Sequence, residues 1–439
     1  MHYSAAMPLR TLMLLAATAM AVLVAGCGSS QQEDGSNSQH GSGSQDGGSS
    51  QQQSEAANLI SAGACTGNGG AGHAQEAPGE VSNGKIAFFR TDADLSDLIN
   101  RVYTSRAFVI DEDGTNERAL TGKLPSAGGP VWSPDGEQIA FTRGREDPTS
   151  TDIYVMDADG TNEAPLADDP ATRFGPAWSP DGEQIAFLRS PTESPGSGVD
   201  NVYVIDADGT DETSLTQTDS VPETRTTLGW PLWSPDGNKI AFSSSAFDRT
   251  PSSASAETTL SSTAPSAKMT GIYVIDVDTA GLCKLTSTAA SPIWWSPEGN
   301  KIAFYDEGYA ISDEDAISVI NSDGSGRKEL TDAVPAEISA LAPAPDGEKI
   351  AFVKEAGLYV INPDGSGLRR LANTLEPSPA ASPISWSPDS EKIAFSCPAA
   401  PGAVGTDLCV MNADGTEWKR IALKVAHEDV PVSVSWGRE

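Results

Sequence analysis

From residue 84 onward, short apolar runs alternate with breaks rich in Pro, Asp and Gly. The clearest stretch is Trp178-Ser179-Pro180-Asp181-Gly182-Glu183-Gln184-Ile185-Ala186-Phe187. Its pattern also begins at Trp132, Trp233 and Trp295, and at Trp386 with Ser390 in place of the Gly. A degraded copy runs Ala344-Pro345-Asp346-Gly347 to Phe352. A second apolar run follows each, ending in an acidic turn, as in Ile153-Tyr154-Val155-Met156-Asp157-Ala158-Asp159-Gly160. Last comes a short segment such as Ala119-Leu120-Thr121. Pro presets φ, Asp bonds its own backbone and Gly accepts positive φ, so the breaks predict tight turns. The runs are rich in Ile, Val, Phe and Tyr, which predicts strands, and no helical period competes.

Four strands per unit, repeated at about 45–60 residues, match a propeller blade. Ile-Ala-Phe occurs at Ile86, Ile139, Ile185, Ile240, Ile302, Ile350 and Ile393, which predicts seven blades. The first copy lacks a Trp strand before it, and Val432-Ser433-Val434-Ser435-Trp436 is a Trp strand with nothing after it. The two complete one blade. The predicted fold is therefore an all-β, seven-bladed β-propeller of four-stranded blades over residues 84–439, closed by the C-terminal strand joining the N-terminal blade. Closure removes the edges that invite aggregation.

The repeat Trp-Ser-Pro-Asp-Gly-x-x-Ile-Ala-Phe, followed by Ile-Tyr-Val-x-Asp-x-Asp-Gly, resembles that of the TolB C-terminal propeller. Similar repeats occur in propellers of tricorn and prolyl-oligopeptidase-like peptidases. The resemblance implies a propeller that binds another envelope protein. In the peptidase relatives it implies a propeller attached to an α/β-hydrolase domain.

Ahead of the repeats, Arg10 closes a short n-region and an apolar run reaches Gly26. Small residues before a cut are what a signal peptidase needs, and the run is short for a spanning helix. Val24-Ala25-Gly26-Cys27 resembles the lipobox of bacterial lipoproteins, which implies a signal peptide over 1–26 and lipidation of Cys27. Residues 27–83 are then the lipidated Cys and a tether rich in Ser, Gln and Gly, too poor in large apolar residues to build a core. A flexible coil of that length spans about 40 Å. The protein is expected outside the cytoplasm, held to the membrane by lipid alone. The net charge of −33 and pI near 4.3 fit a solvated acidic surface. With no Lys/Arg block, nucleic acid is not expected as a partner.

The predicted binding face carries the long, dissimilar connections 91–106, 144–151, 190–201, 217–229 and 243–270, since function rides on loops over a rigid scaffold. Four residues past each Ile of Ile-Ala-Phe stand Arg90, Arg143 and Arg189, with Lys354 in a later blade. Such an arc suits a carboxylate or phosphate; the other reading is local pairing with acids such as Asp92, Asp147, Asp168 and Asp169. Trp230, between Gly229 and Pro231, reads as an exposed contact, whereas the repeat Trp residues read as core between blades. Cys397 and Cys409 face each other on neighbouring strands and are expected to form a disulfide; the pairing of Cys65 and Cys283 stays open.

His2, His40, His73 and His427 are too scattered for a metal centre or a Ser–His–Asp triad, and there is no Gly-x-Ser-x-Gly elbow. The Asp-x-Asp-Gly turns read as turn chemistry rather than calcium loops. No cofactor or metal is expected. The sequence thus points to a monomeric, non-catalytic scaffold for an envelope protein or peptide. The alternative is a glycan or peptide hydrolase using carboxylates in the central channel.

Overall fold

The structure, a computed structural model, describes residues 83–94, 102–125, 127–145, 150–169, 171–190, 200–216, 224–248, 270–287, 290–306, 316–331, 338–354, 357–372, 384–399, 405–426 and 433–438. The expected signal peptide, Cys27, the tether up to residue 82, Cys65 and His427 lie outside them.

Seven antiparallel sheets form the seven expected blades. Blade 2 shows the plan: inner strand Gly128–Trp132, second Gln138–Gly144, third Thr151–Asp157 and outer Ala164–Pro165. The inner strands of blades 3 to 7 are Thr172–Trp178, the pair Thr224–Leu228 and Leu232–Trp233, Ala290–Trp295, Ile338–Pro343 and Ile384–Trp386. Blade 1 takes its inner strand from the other end of the chain. Val434–Arg438 pairs with Asn83–Asp94, matching Ile86 with Trp436 and Phe88 with Val434. Each inner strand touches those of both neighbouring blades, and the circuit closes between Val434–Arg438 and Gly128–Trp132.

The core lies between blades. Every Ile and Phe of Ile-Ala-Phe is buried. Phe141 and Met156 of blade 2 pack on Phe89 and Val109 of blade 1, and this apolar contact repeats around the ring. The repeat Trp adds a directional bond. The indole N–H of Trp178 donates to the Val131 carbonyl of the preceding blade at 3.2 Å. Those of Trp233 and Trp295 donate to Ala177 and Leu232 at 3.0 Å, and that of Trp386 to Ala342 at 2.9 Å. At the closure, the Trp436 backbone N–H donates to Ser385 Oγ in blade 7 and its indole N–H to the Gly84 carbonyl.

The Pro-Asp-Gly turns are built alike. Ser133 Oγ donates to the Asp135 carboxylate, which also accepts the Glu137 N–H, while Gly136 takes φ +74°. These bonds, led by the serine's, hold the Asp135 carboxyl below its ordinary value. In blade 7 Ser390 replaces the glycine and still adopts φ +64°, a costly conformation for a residue with a Cβ.

Three of the expected loops are partly strand. The 91–106 connection is mostly a hairpin, paired from Thr91 with Ser105 to Asp94 with Val102. In blade 4, Thr224–Leu228 pairs with 244–248, so the 217–229 and 243–270 connections begin as a two-stranded arm. The facing segments, Thr-Arg-Thr-Thr-Leu and Ser-Ser-Ala-Phe-Asp, are rich in the β-branched and hydroxyl residues that pair well across strands.

Trp436→Ala should cost about 3–5 kcal/mol, as for loss of a large buried aromatic, because it removes both closure packing and the bond to Gly84. Urea unfolding checks this; an unchanged midpoint would mean the ring does not depend on its C-terminal strand.

Candidate functional site

The connections from second to third strand, and from outer strand to the next inner strand, lie on one face. The short turns lie on the other. Towards the first face every inner strand of blades 2 to 6 is bulged, opposite the Phe of Ile-Ala-Phe in blades 2 to 4 and one or two residues further along in blades 5 and 6. In blades 2 and 3 the bulge holds Gly129-Pro130 and Gly175-Pro176, with φ +66° and +67° at the glycines. Blade 4 holds Trp230-Pro231 there, between the pairs Leu228 with Ser244 and Leu232 with Ala241. A bulge turns a side chain out of its sheet. Trp230 is 66% exposed, the most exposed large apolar side chain among the described residues. Its ring lies on the backbone of blade 3: a Cβ on Gly175 would stand 2.9 Å from Trp230 Cδ1. The glycine thus makes room for the ring against the inner strand of blade 3.

The arginine arc is not open. Arg90 makes two bonds to Glu117, at 2.9 and 3.2 Å, with its guanidinium 4.4 Å from the Phe108 ring. Arg143 lies over Tyr154 and pairs with Glu163; Arg189 lies over Tyr203 and pairs with Glu212 and Asp169. In each of these blades a second-strand arginine crosses a third-strand ring to a glutamate beside the outer strand. Of the anticipated loop acids, Asp169 takes part; the other three partners sit in the acidic turns. Lys354 holds the same position in blade 6, where Leu368 stands in place of the glutamate, and it has no ion pair among the described residues. In blade 7 the arginine and ring positions are Cys397 and Cys409, joined by a disulfide with Cα atoms 6.0 Å apart. Cys283 is also disulfide-bonded, to a partner outside the described residues.

Beneath Gly175 lies a buried ionic cluster. Arg173, fully buried on the inner strand of blade 3, pairs with Asp169 and Glu212 at 2.7 Å and with Asp152 of blade 2 at 3.4 Å. Arg145 pairs with Asp152 and donates to the Asp169 carbonyl at 2.6 Å. Burial dominates at Asp152 and pushes its carboxyl above the ordinary value despite both arginines. At Asp169 burial is again the largest influence, but the Ala171 N–H and Arg173 outweigh it and the carboxyl falls below. Arg173 is legible only when the repeats are laid over one another: five residues before the repeat Trp, blades 2 and 4 carry the buried Ala127 and Leu228.

The inner strands as described carry no Asp or Glu, so catalytic carboxylates at the channel would have to come from connections. On the turn face, Asp181, Glu183, Asp206 and Asp208 line a recess of about 500 Å³. Among the described residues no three His, Cys, Asp or Glu side chains are grouped to hold a metal. The Asp-x-Asp-Gly carboxylates are occupied locally: Asp159 accepts the Thr161 N–H and hydroxyl at 2.8 and 2.6 Å.

Residues 81–253 match the family described as the TolB beta propeller domain. Over that stretch the repeats are of the TolB propeller type. No curated protein matches the chain. Among solved structures, the propeller domain of the Trilobed protease from Pyrococcus furiosus is 16% identical, covers 79% of this chain and 94% of its own, and has a TM-score of 0.51. The Pyrococcus horikoshii acylaminoacyl peptidase is 16% identical over 76% of this chain and 50% of its own, with a TM-score of 0.50. TolB from Acinetobacter baumannii is 18% identical over 82% of this chain and 68% of its own, with a TM-score of 0.45. At these identities the likeness is one of fold, and a TolB-type propeller does not fix an activity.

Arg173→Met leaves buried carboxylates without their cation and should cost about 3–5 kcal/mol. The depressed Asp169 carboxyl stabilises the native state above its unfolded value, and that contribution is lost as pH falls through its folded one. The gap between parent and variant in urea should therefore narrow as pH falls below about 4; a gap independent of pH would contradict the pairing. Gly175→Ala should cost about 1–2 kcal/mol and displace Trp230, seen as a change in indole emission that Gly129→Ala does not produce.

Proposed function

We propose that this chain is an extracytoplasmic, lipid-anchored, non-catalytic scaffold whose TolB-type propeller binds an envelope protein or peptide on the face of the long connections. One observation carries the reading. Trp230 stands exposed on that face, raised by a bulge and supported on Gly175. A rigid, exposed Trp gives large contact area at small entropic cost, and such residues are enriched among binding hot spots.

The proposed division of labour differs from the arc the sequence suggested. Arg90, Arg143 and Arg189 hold the blade faces together through their glutamates. Lys354 is the remaining cation of that set with charge to offer a ligand. The lipidated Cys27 and the segment after it supply the tether, and the body acts as a monomer.

The test is affinity capture from solubilised envelope, comparing the parent chain with Trp230→Ala and with Arg143→Ala/Arg189→Ala. A saturable partner held by the parent should be lost, by about tenfold or more in affinity, with Trp230→Ala. The double arginine variant should lose thermal stability before it loses the partner. A partner held equally by Trp230→Ala would sink the assignment, and turnover of a glycan or peptide would favour the hydrolase reading.

A further inference from the structure

Besides Trp230, three large apolar side chains stand exposed among the described residues: Leu368 (58%), Trp418 (38%) and Leu423 (59%). All three belong to the outer edge of blades 6 and 7. Leu368 precedes the outer strand Arg369–Ala372, Trp418 precedes the outer strand Lys419–Ala426, and Leu423 lies within the latter. The two strands adjoin. An Arg369 guanidinium N–H reaches the Ala413 carbonyl of blade 7 at 3.4 Å, and Leu371 Cα lies 3.4 Å from where a Cβ on Gly415 would stand. The Arg420 guanidinium lies 4.8 Å from the Trp418 ring.

The charged residues among these apolar groups are all cations. Residues 368–372 and 418–426 contain Arg369, Arg370, Lys419, Arg420 and Lys424 and no Asp or Glu, in a chain with 61 acids and a net charge of −33. Arg369, Arg370, Lys419 and Arg420 are exposed. Arg420 pairs with Asp407 at 3.3 Å. Arg369 and Arg370 donate to backbone carbonyls, and neither they nor Lys419 meet a carboxylate at ion-pair distance among the described residues. Blade 5 continues the strip with exposed Arg327 and Lys328, next to Glu329. The outer strands of blades 2 and 3, Ala164–Pro165 and Thr213–Ser214, carry no charge.

We propose that the outer edge of blades 6 and 7 docks on an anionic lipid surface. Tryptophan and leucine among Lys and Arg form the side-chain set that partitions into a bilayer interface: the apolar groups enter the headgroup boundary and the cations meet anionic lipid. An acidic protein partner would use the cations but would leave Leu423 and Leu368 without a reason to be exposed. The outer strand of blade 7 is also the longest of the seven, at eight residues against two to four elsewhere, so the patch runs along a rigid edge. Strand rise puts Leu423 about 17 Å from Trp418. The glutamate beside the patch, Glu417, and the acidic turn face border it and set which way the disc can lie.

The test uses the chain from Gly28 onward, which keeps every described strand and lacks Cys27, in flotation with vesicles. Vesicles of phosphatidylcholine with about 30% phosphatidylglycerol should carry the protein and pure phosphatidylcholine should not, with binding lost near 0.5 M salt. Trp418→Ala/Leu423→Ala and Arg369→Glu/Arg370→Glu should each reduce binding by about fivefold or more with unchanged melting, and Trp230→Ala should not. Absence of binding to the anionic vesicles overturns the proposal. So does binding that survives both double variants. Retention on soluble polyglutamate that ignores Trp418 and Leu423 would assign the patch to an acidic protein instead.

Discussion

The indole N–H of the repeat tryptophan, given to a carbonyl on the preceding blade, is the bond on which the rest is organised. In blades 3, 4, 5 and 7 it ties the inner strand to the one before, whereas the indole N–H of Trp132 meets no partner among the described residues and that of Trp436 bonds within its own blade. The inner strands of blades 2 to 6 are also bulged, and the bulge is where the chain presents a residue on the face of the long connections. Two blades fill it with glycine and one with Trp230. The ring can sit against blade 3 because that blade has no Cβ at Gly175. Bulge and exposed aromatic are thus one construction, set on inner strands that the tryptophans help to hold in place.

A second regularity runs along the blade faces. In blades 1 to 3 an arginine crosses a ring to a glutamate. In blades 4 to 6 the cation over the ring comes from the outer side instead, as Lys284, Arg327 and Arg370. In blade 7 a disulfide takes the place of the arginine and the ring. Each solution covers the same patch of aromatic or apolar surface between blades. In blades 5 to 7 the position of those glutamates is held by Arg327, Leu368 and Trp418, and the basic, apolar edge of blades 6 and 7 is left exposed in an acidic molecule.

Much of this was legible in the chain. Seven Ile-Ala-Phe segments and the mismatched ends give blade number and closure, because a propeller repeats one local pattern and turn chemistry is local. Trp230 was legible as the Trp outside the repeat. The arc of Arg90, Arg143 and Arg189 was legible as a column but not as a set of clamps, since Glu117, Glu163 and Glu212 lie some 20 to 27 residues away and meet it only across a folded sheet. Arg173 was hidden for the same reason: its partners come from two blades and the connection between them. The basic edge was hidden because its cations arrive in pairs, one pair per blade, and become a patch only when the outer strands adjoin.

The face assignment is tested most directly by hydrogen–deuterium exchange on the chain with and without its isolated partner. Protection is predicted in 224–245, which carries Trp230, and in 172–176, which supports it, with the Pro-Asp-Gly turns unchanged. Protection confined to those turns, with no change around Trp230, would contradict the account.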